Sequence, residues 1–193
     1  MCPVDLMDID DPQQVSEYAE ECYQQMAGTE KAFTAVYGFM QTRQTDINEK
    51  MRAILVDWLI EVHFKFKLLP ETLFLSVNLI DRYLEKCDVL RTKLQLVGVS
   101  AMLIACKYEE IYAPEVRDFV YITDKAYTKE EILEMENLML SALDFNITAP
   151  SSLRFLERYA KIAKVNTKQF SLARYLIELP LIEYRMLKHT PSN

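Results

Sequence analysis

The chain has 193 residues, half of them hydrophobic, and a formal net charge of −7. That is enough chain to bury a real core in one large domain or two small ones, and the acidic balance argues against binding a phosphate backbone as the main role. Three glycines are too few for a sheet protein rich in tight turns, so the composition leans all-α.

Residues 1 to 12, MCPVDLMDIDDP, read as a short, acidic, extended lead-in. From Gln13 onward Val15, Tyr18, Ala19, Cys22, Tyr23 and Met26 recur at helical spacing, with Glu17, Glu20 and Glu21 on the other side. The pattern predicts an amphipathic helix of about four turns ahead of the main bundle, either docked only on its own core or also touching a partner. Residues 28 to 45 form a connector anchored by Phe33, Val36, Tyr37, Phe39 and Met40. Met51 to Lys67 follows, apolar on two sides: Met51, Leu55, Trp58 and Val62 make one stripe, and Ala53, Val56, Ile60 and Phe64 lie roughly opposite. A helix apolar nearly all round belongs in the middle of a fold, so this is the expected central helix. Asp46 is its expected cap, with Glu49 completing a capping box.

Four more helical segments are predicted after it. Pro70 and Glu71 open the first, with Leu73, Phe74, Val77, Ile80 and Leu84 on its inner face; proline suits a helix's first turn. Thr92 opens the next, through Tyr108, and Pro114 and Glu115 begin a short one ending near Ile122. Thr128 with Glu131 is a second capping box, opening a helix through about Ala142. The connections are short enough for antiparallel neighbours. Leu143 to Ser151 breaks the pattern, dividing the chain into a lead-in with its helix (1–45), a bundle (46–143) and a second unit (144–193). In that unit Ser152 to Ala163 and Thr167 to Leu187 are amphipathic, and Pro180 should kink or split the latter. Two helices cannot enclose a core of their own, so the unit reads as cut short, with exposed apolar faces.

No catalytic constellation emerges. The two histidines, His63 and His189, offer neither a metal site nor a catalytic arrangement. Phosphate-binding glycine loops are lacking, and the adjacent Glu109 and Glu110 point about 100° apart on a helix. Cys2, Cys22, Cys87 and Cys106 lack zinc-ligand spacing and suit a reducing intracellular compartment. The longest apolar run, Leu96 to Cys106, falls short of the roughly 18 residues of a membrane span, and no signal peptide is visible at Met1. A protein without cofactor, metal or enzymatic activity of its own is therefore expected. Four charges nevertheless stand on apolar faces: Arg52, Asp81, Lys107 and Glu136. Burying an unpaired charge costs several kcal/mol, so these residues either pair internally or hold the polar backbone of another protein.

MRAILVDWLIEVH, ETLFLSVNLIDRYL, KLQLVGVSAMLIACKYEEIYAPEV and YTKEEILEMENLML together resemble the cyclin box. From about Val15 to the end the chain is similar to mitotic A/B-type members of the cyclin family, nearer to the B type by HFKFKLLPETLFL. The resemblance implies a five-helix cyclin fold preceded by an N-terminal helix and followed by an incomplete second cyclin fold. It implies a regulatory subunit that activates a cyclin-dependent kinase, in nucleus and cytoplasm, with no direct nucleic-acid or membrane partner. Lys107 and Glu136 would then hydrogen-bond the kinase near its regulatory αC helix, with Ile104, Tyr108, Leu140, Phe145, Ile147 and Cys22 lining the apolar part of the interface. Arg52 and Asp81 would form an internal brace. Met51, Ile54, Leu55, Trp58, Leu94 and Gln95 would form a patch for Arg-x-Leu-type docking peptides of substrates or inhibitors, with Glu61 meeting a basic residue; the alternative is that this stripe is core. RxxL matches at Arg52–Leu55 and Arg91–Leu94 fall in helical stretches and are read as chance. Because mitotic cyclins carry a destruction signal in a disordered N-terminal region, the chain is expected to be a fragment. Rival readings are an adaptor that recruits without activating, and a transcription-associated scaffold, which would want a basic face.

Overall fold

The computed structural model describes residues 4–193, and every regular element among them is helical. Short α1 (Ala19–Thr29) and α2 (Phe39–Thr42) precede a bundle of α3 (Glu49–Phe66), α4 (Pro70–Lys86), α5 (Leu94–Glu109), α6 (Val116–Ile122) and α7 (Lys129–Ala142). The pair α8 (Ser152–Ala163) and α9 (Thr167–Glu178) follows. Among the described residues no helix is long and apolar enough to cross a membrane.

The bundle's centre is α5 rather than α3. Leu94 and every residue from Leu96 through Cys106 is buried, because α3, α4, α6 and α7 all pack around this helix. A small residue permits the close approach of α3. A Cβ on Gly98 would stand 2.7 Å from Leu55 Cδ1, so glycine is what lets α3 settle onto α5. α3 itself buries only one broad sector, including Leu55, Val56, Leu59 and Val62, and leaves Ile54 and Phe64 in solvent. Its double stripe therefore does not mean full enclosure.

The helix ends show which polar side chains do the capping. α3 is capped by Asn48, whose Oδ1 accepts from Met51 N at 3.0 Å. The expected cap Asp46 stands too early in the chain, and instead binds the Arg91 backbone N–H and guanidinium at 2.7–2.8 Å. Those Arg91 bonds hold its carboxyl below the ordinary value. α4 starts with Pro70 in its first turn, and Glu110 from the end of α5 accepts from Leu69 N at 2.7 Å and Thr72 Oγ1 at 2.6 Å. At the far end of α4, Gln44 donates to the carbonyls of Leu84 and Cys87 at 2.5 and 2.7 Å. Thr128 and Glu131 form the reciprocal box at α7, as their spacing predicts, and Glu115 and Asp118 form another at α6.

The termini depart from expectation. Residues Asp5–Asp8 form a 3₁₀ turn, not an extended lead-in, because Asp5 is fully buried against Arg158 of α8; Cys2 lies outside the described residues. α1 begins at Ala19 rather than Gln13, since Val15 adopts φ 47 in the left-handed region and interrupts the helical path. In the second unit the helical pattern divides at Pro180. Beyond it Tyr184 is buried, and its hydroxyl accepts from Gly38 N at 2.8 Å and Met40 N at 3.1 Å. Leu181 and Ile182 pack on Val56, Leu73 and Val77. The second unit thus shares core with the first, while Leu172, Tyr175 and Leu176 of α9 stay exposed.

Candidate partner-binding site

The four displaced charges resolve into two pairs of different character. Arg52 on α3 and Asp81 on α4 meet in the interior: Nε donates to Oδ1 at 2.6 Å and Nη2 to Oδ2 at 2.7 Å. The remaining guanidinium nitrogen, Nη1, donates to the carbonyls of Leu181 and Ile182 at 3.0 and 3.3 Å. Burial works against the guanidinium, but Asp81, with Tyr184 and Glu183, more than offsets it and raises the Arg52 pKa. The pair braces three segments, with every donor aimed inward.

Lys107 and Glu136 are placed differently. Lys107 Nζ lies 2.7 and 2.8 Å from the two carboxylate oxygens of Glu136, so α5 and α7 are bridged at the bundle's edge. The lysine side chain is 48% exposed and the glutamate 10%. A partner can therefore reach the ammonium and compete for it, which it cannot do at Arg52.

An apolar shelf adjoins this pair. Tyr108, next to Lys107, hydrogen-bonds Thr148 through its hydroxyl at 2.6 Å, drawing the loop after α7 against the end of α5. Leu140 and Ile147 are half-buried there. Phe145 is 68% exposed and has φ 57, a left-handed conformation that bulky side chains rarely adopt. A large aromatic is thus held in solvent on a backbone conformation that costs on the order of 1–3 kcal/mol. Ile104, expected to line this surface, is instead buried in the core. Cys22 is exposed on α1.

The docking stripe is likewise divided by burial. Ile54 is 62% exposed and Glu61 is exposed, whereas Leu55 and Leu94 are core residues. Met51 and Trp58 are half-buried against the core, and Gln95, next to Leu94 in the chain, is half-buried. The stripe is a shallow ledge with a buried floor.

Glu109 and Glu110 do not act as a pair. Glu110 is committed to the α4 terminus. Glu109 has its carboxyl raised by burial, with Arg154 opposing and Glu71 and Glu110 reinforcing the shift. Glu109 lines a mainly apolar cleft of about 940 Å³ between the first bundle and the second unit. Among the described residues no group of His, Cys, Asp and Glu is arranged to hold a metal. Sequence reasoning missed Glu110, Gln44, Tyr184 and the Asp5–Arg158 pair. Each acts across more than thirty residues of chain, so no local spacing announces it.

The sequence and the fold both match known proteins. A family model of the cyclin N-terminal domain matches residues 21–148, and one of the cyclin C-terminal domain matches residues 150–193. The chain is 54% identical over 189 residues to "G2/mitotic-specific cyclin-1" of Medicago sativa subsp. varia, covering 98% of this chain and 44% of the relative. It is 51% identical to "Cyclin-B2-1" of Oryza sativa subsp. japonica, covering 100% of this chain and 46% of the relative. Against "G2/mitotic-specific cyclin-B" of Spisula solidissima it is 50% identical, covering 98% and 44%. The chain thus spans less than half the length of these relatives. A crystal structure of a viral cyclin from herpesvirus saimiri superposes with a TM-score of 0.79 at 23% identity, covering 87% of this chain and 75% of the viral one, a likeness of fold.

Proposed function

The chain belongs to the cyclin family, and from that premise we propose that it binds and activates a cyclin-dependent protein kinase that drives the G2-to-mitosis transition. The observation that carries this reading is the Lys107–Glu136 pair beside the shelf of Tyr108, Leu140, Phe145 and Ile147. On binding, Lys107 and Glu136 exchange part of their mutual bond for backbone groups of the kinase, and Phe145 enters an apolar pocket beside its regulatory helix. The chain performs no chemistry. It acts as a ligand for the one kinase conformation in which the helix-borne Glu reaches the Lys that positions the ATP phosphates. Moving a 1:99 mixture to 99:1 requires about 5.5 kcal/mol of preferential binding. A preformed helical face supplies this with little ordering cost.

Recruitment of substrates and inhibitors through Arg-x-Leu-type peptides is the second part of the proposal, supported by the ledge of Met51, Ile54 and Trp58 with Glu61 at its rim. Action in nucleus and cytoplasm completes it. The test is calorimetric titration of a mitotic cyclin-dependent kinase with the wild type and with the Lys107→Ala, Glu136→Ala double variant. Loss of about 2 kcal/mol or more of binding, the scale of a truncated interface hot spot, in a variant that still binds docking peptide supports the kinase-facing role. Unchanged kinase binding would leave an adaptor that works through the ledge alone.

A further inference from the structure

α1 carries no buried residue, and an isolated helix of its length is marginal in water. Core burial therefore does not hold it. The segments on either side of it are instead fastened by carboxylates, Asp5 and Asp8 before it and Glu30 after it, and both fasten to the second unit.

At the N-terminal end, Asp5 is 0% exposed and accepts two bonds from the Arg158 guanidinium, one of them from Nη2 at 2.9 Å. Lys161, one turn along α8, pairs with Asp8. Ser16 Oγ donates to the Asp8 carbonyl at 3.0 Å, tying the turn to the segment that enters α1. Arg158 also lies over the ring of Tyr23, 5.2 Å from its centre, so one α8 side chain grips the lead-in and α1 together. At the C-terminal end, buried Glu30 accepts from Ser192 N at 2.9 Å and Ser192 Oγ at 2.8 Å, and Tyr159 of α8 donates to the Ser192 carbonyl at 3.0 Å. After Glu30 the chain is tied to the first bundle, where Asn78 donates to the Phe33 carbonyl at 2.6 Å and Arg82 covers the Phe33 ring.

We infer that α1 is carried by the second unit rather than by the first bundle, and that Arg158 is the positioning residue that sets where α1 presents Cys22 to the partner kinase. The consequence for the partner surface rests on the kinase-binding reading above. The α8 helix of the second unit then contributes to kinase binding indirectly, by holding in place a helix that buries no residue of its own.

The experiment compares Arg158→Gln with the wild type by amide hydrogen exchange and by affinity for the kinase. Without the anchor α1 frays, so its amides, residues 19–29, exchange about tenfold faster or more while those of α5 are unchanged. The kinase dissociation constant rises by about tenfold. Asp5→Asn leaves no buried carboxylate behind and serves in the same way where Arg158→Gln melts. Unchanged exchange in α1 overturns the anchor. Faster exchange with unchanged kinase affinity overturns the positioning role. A wild-type chain that does not bind the kinase refutes the kinase-binding reading, and the exchange result still decides the anchor.

Discussion

Asp81→Asn tests what the interior pair contributes. Both side chains are nearly sealed, at 2% and 4% exposure, and the carboxylate takes two guanidinium bonds at 2.6 and 2.7 Å. Breaking such a pair costs about 3–5 kcal/mol because a charge is stranded indoors. Here Nη1 keeps the carbonyls of Leu181 and Ile182, which places the loss near the lower end, about 3 kcal/mol. At about 2–4 °C per kcal/mol for a chain of this size, the melting temperature should fall by about 6–12 °C. Arg52→Met combined with Asp81→Leu removes both charges and should recover to within about 1 kcal/mol of the wild type. That double variant still lacks the donor to the Leu181 and Ile182 carbonyls, so residues 181–188 should exchange faster even as global stability returns. Urea unfolding monitored by circular dichroism, with exchange mapped by mass spectrometry, measures both. A loss under about 1 kcal/mol in Asp81→Asn, or a double variant no more stable than the single, would refute the assignment of this pair to the scaffold.

Other outcomes follow from neighbouring residues. Phe145→Gly relieves a left-handed backbone at a cost in chain entropy of similar size; its unfolding midpoint should stay within about 1 kcal/mol of wild type while kinase binding weakens at least tenfold. Gly98→Ala drives a methyl into Leu55, and should destabilise by about 1–3 kcal/mol and weaken docking-peptide binding by lifting the ledge's floor. Burial pushes the Cys106 thiol up to about 12, so at pH 8 a thiol reagent followed by peptide mapping should label exposed Cys22 and spare Cys106. Asp46 and Glu131 have lowered pKa values, Asp46 through its Arg91 hydrogen bonds and Glu131 through the Thr128 backbone and Lys93. A lowered folded pKa stabilises above the unfolded value and loses that contribution as pH falls through the folded one. The urea midpoint of Asp46→Asn, Glu131→Gln should therefore differ most from wild type above pH 4.5, the ordinary value of the glutamate, and converge with it in more acid solution. A gap that widens in acid would contradict the sign.

Much of the bundle was legible because helical signals are local. Pro70, the Thr128–Glu131 box and the apolar rows of α4 and α5 mark their own helices, and Pro180 marks its own break. Which helix lies in the centre was not legible. α3 and α5 are both apolar over wide arcs, and only the packing of four neighbours around α5 separates them. Capping failed by a two-residue offset: Asp46 and Asn48 are both good caps, and the Arg91 bonds that divert Asp46 come from across the fold. The four odd charges were legible as odd from their apolar neighbours, but their division into a sealed brace and an accessible bridge needed the exposures of Arg52 and Lys107. The carboxylate anchors of α1 were invisible, since Asp5 and Arg158 lie on opposite ends of the chain and no periodicity links them.

The most direct test of the central claim is the rate at which a purified mitotic cyclin-dependent kinase phosphorylates a protein substrate as this chain is titrated in, beside the Lys107→Ala, Glu136→Ala variant. The account predicts saturable activation by the wild type, shifted by the double substitution to concentrations at least about thirtyfold higher, the equivalent of 2 kcal/mol. Tight binding by the wild type without any rise in rate would contradict it.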